Sequence, residues 1–255
     1  MSDTTLLELL KNGVHFGHQT AKWHPRMKPF IFSSRNGIHI IDLEKTVAML
    51  ERAQEFVRGI TASGGTILFV GTKRQAKEIV RREAELAGAP FVTERWLGGL
   101  FTNFGTVGKV LERLRTLTAD RNAGKLEKYV KKERVKFDEE IEKLEKLVGG
   151  MREMTALPQA VFLVDIKTEK TALREAKKVD IPVVAMVDTN TDPQGILYPI
   201  PANDDATKSI DLITRMIGLA AKEGKEQFAE AQAALRANPP AIAVPPTETE
   251  KPNVP

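Results

Sequence analysis

The chain has 255 residues, with 38 lysines and arginines against 34 aspartates and glutamates, a formal charge of +4 and no cysteine. That length admits one large domain or two small ones, and the absent thiols exclude disulfides, cysteine zinc fingers, iron–sulfur clusters and cysteine nucleophiles. No apolar run approaches the ~20 residues that cross a bilayer, and Met1-Ser-Asp-Thr-Thr-Leu-Leu-Glu lacks the basic start of a secretory signal, so a cytoplasmic protein is expected.

In chain order, residues 4–11 form a short amphipathic helix that Asn12-Gly13 stops. Residues 14–37 read as irregular and basic. Around Asn36-Gly37, the strongest short hairpin signal, two brief strands are expected. A helix starts at Asp42 or Leu43 and runs to about Ala62, with Val47, Leu50, Phe56, Val57 and Ile60 on its apolar face. Thr66-Ile-Leu-Phe-Val-Gly71 is a continuous apolar run, as in a strand covered on both faces. A helix over residues 73–87 follows, then a strand at Phe91-Val92. Residues 160–165 and 181–188 repeat the buried-strand pattern, with a helix over 168–179 between them. A last strand is expected at Tyr198-Pro-Ile-Pro201, and Asp204 or Asp205 caps a helix to about Gly224.

Strands alternating with helices imply a parallel sheet, here of about five strands in a doubly wound α/β body covering residues 1–105 and 149–228. Residues 106–148 contain no strand. Val107, Leu111, Leu114 and Leu117 mark one apolar stripe, and Leu126, Val130, Phe137, Ile141, Leu144 and Val148 mark another. With a breaker at 120–124, this segment reads as an inserted helical hairpin, an antiparallel coiled coil projecting from the body. Residues 229–255 turn to Ala, Pro, Glu and Thr and are expected to form a disordered tail. The first 150 residues carry a net +7 and the remainder −3, which points to a polyanionic partner.

Enzyme chemistry finds little support. Five residues separate Gly65 from Gly71, and they form a strand, not a phosphate-binding loop. No Gly-x-Gly-x-x-Gly and no Gly-x-Ser-x-Gly is present. Asp165 and Asp188 end strands, where α/β sites are built, but an aspartate there also caps the next turn. His15 and His18 lie three apart in an irregular segment, and Asp188 and Asp205 follow strand ends on the same rim. Together they could hold zinc or magnesium, or the histidines could bond backbone or RNA. The basic loops are more telling. Lys22, Arg26 and Lys28 interleave with Trp23, His24 and Phe30. Arg35 and Asn36 occupy the hairpin turn. Lys73 and Arg74 start a helix, and Arg95-Trp-Leu-Gly-Gly-Leu-Phe-Thr-Asn103 combines a cation, an indole and glycines. Cations on phosphates and flat or hydroxyl-bearing groups on bases and sugars are how RNA is held. Trp23 and Trp96 can equally be packing anchors.

Five ordered blocks resemble a known family: Gly13-Val-His-Phe-Gly-His18, Arg35 through Thr46, Leu68 through Ala76, Arg95 through Phe104, and Asp188-Thr-Asn-Thr-Asp-Pro193 followed by Pro201-Ala-Asn-Asp-Asp205. The chain is similar there to the bacterial small-subunit ribosomal protein number two, over about residues 5–224. The resemblance implies a flavodoxin-like fold with a coiled-coil hairpin and a structural, non-catalytic role that requires no cofactor. It also implies contacts with small-subunit ribosomal RNA between head and body, and help in docking ribosomal protein number one. Small-molecule substrates and membranes are not expected partners. Lys22, Trp23, Arg26, Lys28, Arg35, Asn36, Lys73, Arg74, Arg95 and Asn103 match its blocks and are carried over as RNA contacts. The resemblance also suggests a zinc near His15 and His18.

Overall fold

The computed structural model describes residues 6–237. Helix α1 (Leu6–Lys11) leads into a three-stranded antiparallel sheet, β1 (Phe16–Gln19), β2 (Ile31–Arg35) and β3 (Ile38–Ile41), in the order β1-β3-β2. Asn36 and Gly37 join β2 to β3 with φ of 51° and 77°, the doubly left-handed turn that matches strand twist. The strand β1 lies in the segment read as irregular. Phe16-Gly-His-Gln has no alternation of its own, and it is a strand because its partner, β3, holds it.

Helix α2 (Leu43–Ala62) is capped by Asp42, whose carboxylate accepts the Glu44 N–H at 3.2 Å. Then come β4 (Ile67–Val70), α3 (Lys77–Leu86), β5 (Phe91–Val92), the hairpin helices α4 (Phe104–Asn122) and α5 (Lys131–Val148), β6 (Ala160–Leu163), α6 (Lys170–Lys178), β7 (Val183–Val187), β8 (Tyr198–Pro201) and α7 (Thr207–Ala237). The second sheet is wholly parallel, in the order β5-β4-β6-β7-β8. This is the doubly wound order of flavodoxin-like folds.

Alternate strand residues feed two cores. Ile67, Phe69, Phe162, Val184 and Met186 pack with α2, α3 and α7; Leu68, Val70, Val161, Leu163 and Val187 pack with α6 and the base of the hairpin. The hairpin is therefore not apart from the body at its root. Leu111, Leu114 and Leu117 of α4 and Ile141 and Val148 of α5 are buried in the second core. Arg113 pairs with Glu140 at 3.0 Å and Arg121 with Asp138 at 4.0 Å, an antiparallel order. Leu126 and Val130, expected on the second stripe, fall in the turn between the helices.

Three boundaries differ from expectation. Helix α3 begins at Lys77, not Lys73, because the Thr72 N–H and hydroxyl are drawn to the Glu169 carboxylate at 2.7 and 2.6 Å and the chain leaves the strand as a turn. Before α7 it is Asn203, not Asp204 or Asp205, whose side chain closes the turn into the helix: its Oδ1 accepts the Asp205 and Ala206 N–H groups at 2.9 and 3.1 Å. Helix α7 passes Gly224 and continues to Ala237, so residues 229–237 of the expected tail are helical, and 238–255 lie outside the described residues. Gly224 is a contact residue, not a stop: a Cβ there would lie 2.0 Å from Thr61 Oγ1 on α2.

Candidate nucleic-acid interface

The carboxyl ends of parallel strands are where this sheet order opens loops to partners. The loop after β4 carries Lys73 and Arg74, and that after β5 carries Arg95 and Asn103. Those after β7 and β8 anchor the small sheet. There, His18 N–H donates to Thr189 Oγ1 at 2.8 Å, His24 N–H to the Thr189 carbonyl at 2.8 Å, and Asn203 Nδ2 to the Gly13 carbonyl at 3.2 Å. Gly17 permits this docking, since a Cβ there would lie 2.6 Å from Thr189 Cγ2. The small sheet, which carries Lys22 to Asn36, is thus tied to loops at the same end of the parallel sheet as those that carry Lys73, Arg74, Arg95 and Asn103.

Their side chains are not equivalent. Lys22, Lys28, Arg35, Asn36, Arg74, Arg95 and Asn103 are exposed. Among the described residues the lysines and arginines of that set make no ion pair, so their charge faces solvent. Arg26 is exposed but bridges to Asp192. Trp23 is 36% exposed and leans on the His39 ring at 5.3 Å, whereas Trp96 is buried against Phe101. Residues 13–41 contain four cations and no carboxylate, which makes the small sheet the most one-sided part of the rim.

Lys73 is different. Its ammonium lies 2.6 Å from Asp205, 2.9 Å from Asp204 and 3.3 Å from Asp165. Burial works against its charge, but these carboxylates outweigh it and hold the amine protonated well above the usual range. It faces inward, to the protein's own anions. The same cluster holds His18, with Nδ1 3.1 Å from Asp188 and Nε2 3.2 Å from Asp205. The Asp188 hydrogen bond raises the His18 pKa against the effect of burial. Burial and the crowding of Asp188 and Asp165 push Asp204 up to about 7. Asp165, at φ 68°, also accepts the Lys167 and Thr168 N–H groups, so it does cap its turn.

Of the predicted metal ligands, His18, Asp188 and Asp205 come together; His15 does not. Its ring packs on Phe16 at 4.0 Å, and burial lowers its pKa. Donor atoms of His18, Asp188 and Asp204 lie within 4.8 Å of one another. Asp204 was missed in the sequence, where only the Asn203-Asp-Asp run pointed to it.

Sequence reasoning also missed the hairpin tip. Residues 125–136 hold six lysines and arginines against two glutamates. All of the six are exposed, and Lys128 lies over the Tyr129 ring at 5.3 Å. By contrast, the cleft of about 1480 Å³ between hairpin and body is lined by balanced charges, among them Arg81, Lys146 and Lys225 against Glu85, Glu142 and Glu153, and does not select an anion. No described helix is long and apolar enough to cross a membrane.

The chain matches the family described as ribosomal protein S2 over residues 9–224. Among curated proteins it is 53% identical over 226 residues to the small ribosomal subunit protein uS2 of Coprothermobacter proteolyticus, covering 89% of this chain and 84% of that one. The protein of the same name from Acidothermus cellulolyticus is 51% identical over 234 residues, with 91% and 85% covered. That from Corynebacterium urealyticum is 51% identical over 235 residues, with 92% and 87% covered. The rim, its one-sided charge and the hairpin are therefore features of a protein that belongs to the ribosomal protein S2 family.

Proposed function

We propose that this protein is a structural, non-catalytic component of the small ribosomal subunit in the cytoplasm, held there by small-subunit ribosomal RNA along the carboxyl rim. The observation that carries this reading is the set of exposed cations without an ion pair among the described residues: Lys22, Lys28 and Arg35 in and beside the small sheet, and Arg74 and Arg95 on loops at the carboxyl end of the parallel sheet. Asn36, Asn103 and Trp23 flank them with groups suited to sugars and bases. Lys73 supports the rim from beneath. The hairpin tip is a second polyanion contact, separated from the rim by the length of the two helices. This division suits a protein lodged between the head and the body of the subunit.

Neighbouring ribosomal proteins, number one among them, fit a different surface. Phe16, Phe32 and Ile38 of the small sheet are 48%, 76% and 37% exposed, and Leu6, Leu7 and Leu10 of α1 are exposed as well. Exposed apolar side chains of this size are available to protein contacts. The direct experiment is density-gradient sedimentation of a lysate, probing for this chain. It is expected in the small-subunit fraction, and recovery only at the top of the gradient would refute the reading.

The role needs no cofactor. A divalent cation is a second reading for the His18, Asp188 and Asp204 cluster, favoured by three donors within 4.8 Å and by a carboxylate excess that such an ion would offset. Lys73 competes for the same charge. Zinc added to the purified protein should raise its thermal midpoint, and His18→Ala should abolish the rise. An unchanged midpoint would leave Lys73 and His18 as the cations of the cluster.

A further inference from the structure

Helix α6 lies under the rim and carries Glu175, which is 8% exposed and makes no ion pair among the described residues. A buried carboxylate persists only where other dipoles replace its water. Here one loop supplies them all. Oε1 accepts the Gly99 N–H at 2.7 Å and the Trp96 indole N–H at 3.2 Å. Oε2 accepts the Phe101 and Thr102 N–H groups at 3.0 and 3.3 Å and the Thr102 hydroxyl at 3.4 Å. Gly99, at φ 90°, makes the turn that brings these amides to one point. Burial pushes the Glu175 carboxyl up, and the donors outweigh it and hold its pKa below the usual range. A concave ring of amides is what a protein otherwise offers a phosphate; this one is filled from within.

The residues that leave the ring outward are Arg95 and Asn103, both exposed. The residue capping the same helix, Glu169, is 2% exposed and ties down Thr72 in the loop that carries Arg74. One helix thus secures two basic loops through two buried carboxylates.

We propose that Glu175 is a positioning residue for RNA recognition: its carboxylate, an internal stand-in for a phosphate, fixes the 96–102 loop so that Arg95 and Asn103 meet RNA from set positions. The proposal rests on the RNA-binding reading above. It predicts that the worth of Arg95 depends on Glu175, whereas a glutamate that only stabilises the fold would leave the two independent.

The test uses the full chain and naked small-subunit ribosomal RNA, titrated over a series of salt concentrations. Absence of salt-dependent binding by the unaltered protein would overturn the RNA reading and this role with it. Glu175→Gln keeps one acceptor oxygen and turns an N–H₂ group toward the remaining donors. It should weaken binding about tenfold, the worth of one charge-assisted contact, and reduce the logarithmic salt slope by about one. Arg95→Ala should cost about fivefold alone and less than about twofold in the Glu175→Gln background. Unaltered binding by Glu175→Gln, or losses that simply multiply, would overturn the positioning role while leaving the RNA reading intact. Should Glu175→Gln fail to fold, Trp96→Phe removes one donor and keeps a ring against Phe101. It should weaken binding about threefold and show the same dependence with Arg95→Ala. Unaltered binding by that variant would also overturn the role.

Discussion

At the hairpin tip, six lysines and arginines between residues 125 and 136 face solvent with two glutamates among them, whereas under the rim Lys73 and His18 lie among Asp165, Asp188, Asp204 and Asp205. In the sequence both are basic residues in loops or near helix ends. In the fold, one set is an outward surface and the other a half-buried structural tie. The difference is made by partners brought from distant parts of the chain, and it decides which cations remain available to a polyanion. Arg74, next to Lys73, makes the same point at a separation of one residue: it is exposed and makes no ion pair among the described residues.

The sharpest way to break this comparison is Lys73→Met. If Lys73 is a structural tie, its loss leaves carboxylates uncompensated and should cost about 3 kcal/mol in urea unfolding, while the folded fraction still binds RNA with an unaltered salt slope. A cost below about 1 kcal/mol would place Lys73 with the surface cations. For those, the opposite pattern is expected. Neutralising Lys22, Lys28 and Arg35 together to Gln should lower RNA affinity about 30-fold and the salt slope by about three, with no change in thermal midpoint. Lys128, Lys131 and Lys132 to Gln should cost about tenfold, and the two triples should combine additively because the sites share no contacts. Strong coupling between them would mean that rim and tip grip one continuous RNA element. The smallest effect concerns acid stability. Glu175 has its folded pKa below its unfolded one, so its contribution is present above about pH 4.3 and is lost as pH falls through the folded value. Thermal midpoints between pH 5 and pH 3 should therefore fall less steeply in Glu175→Gln than in the unaltered protein.

Much of the architecture was legible because its signals are local. Continuous apolar runs marked β4, β6 and β7, and Asn36-Gly37 marked the turn between β2 and β3. What escaped depends on contacts across the chain. The strand β1 exists through β3, and the start of α3 is displaced by Glu169 from 97 residues away. Gly224 reads as a helix stop until α2 is seen pressed against it. The same division holds at the interface. Exposed cations in loops could be picked out by composition. The inward turn of Lys73 and the amide ring around Glu175 could not, since neither has a spacing signature. Arg95-Trp-Leu-Gly-Gly reads as a loop that joins a cation, an indole and glycines, yet the amides of Gly99, Phe101 and Thr102 are spent on Glu175.

The anchoring of the small sheet has a consequence for synthesis. His18 waits for Thr189, 171 residues later, and Gly13 for Asn203, 190 residues later. A nascent chain therefore displays its basic first segment long before the loops that orient it have left the ribosome that makes it. A prematurely terminated product would carry the charge without the frame that orients it.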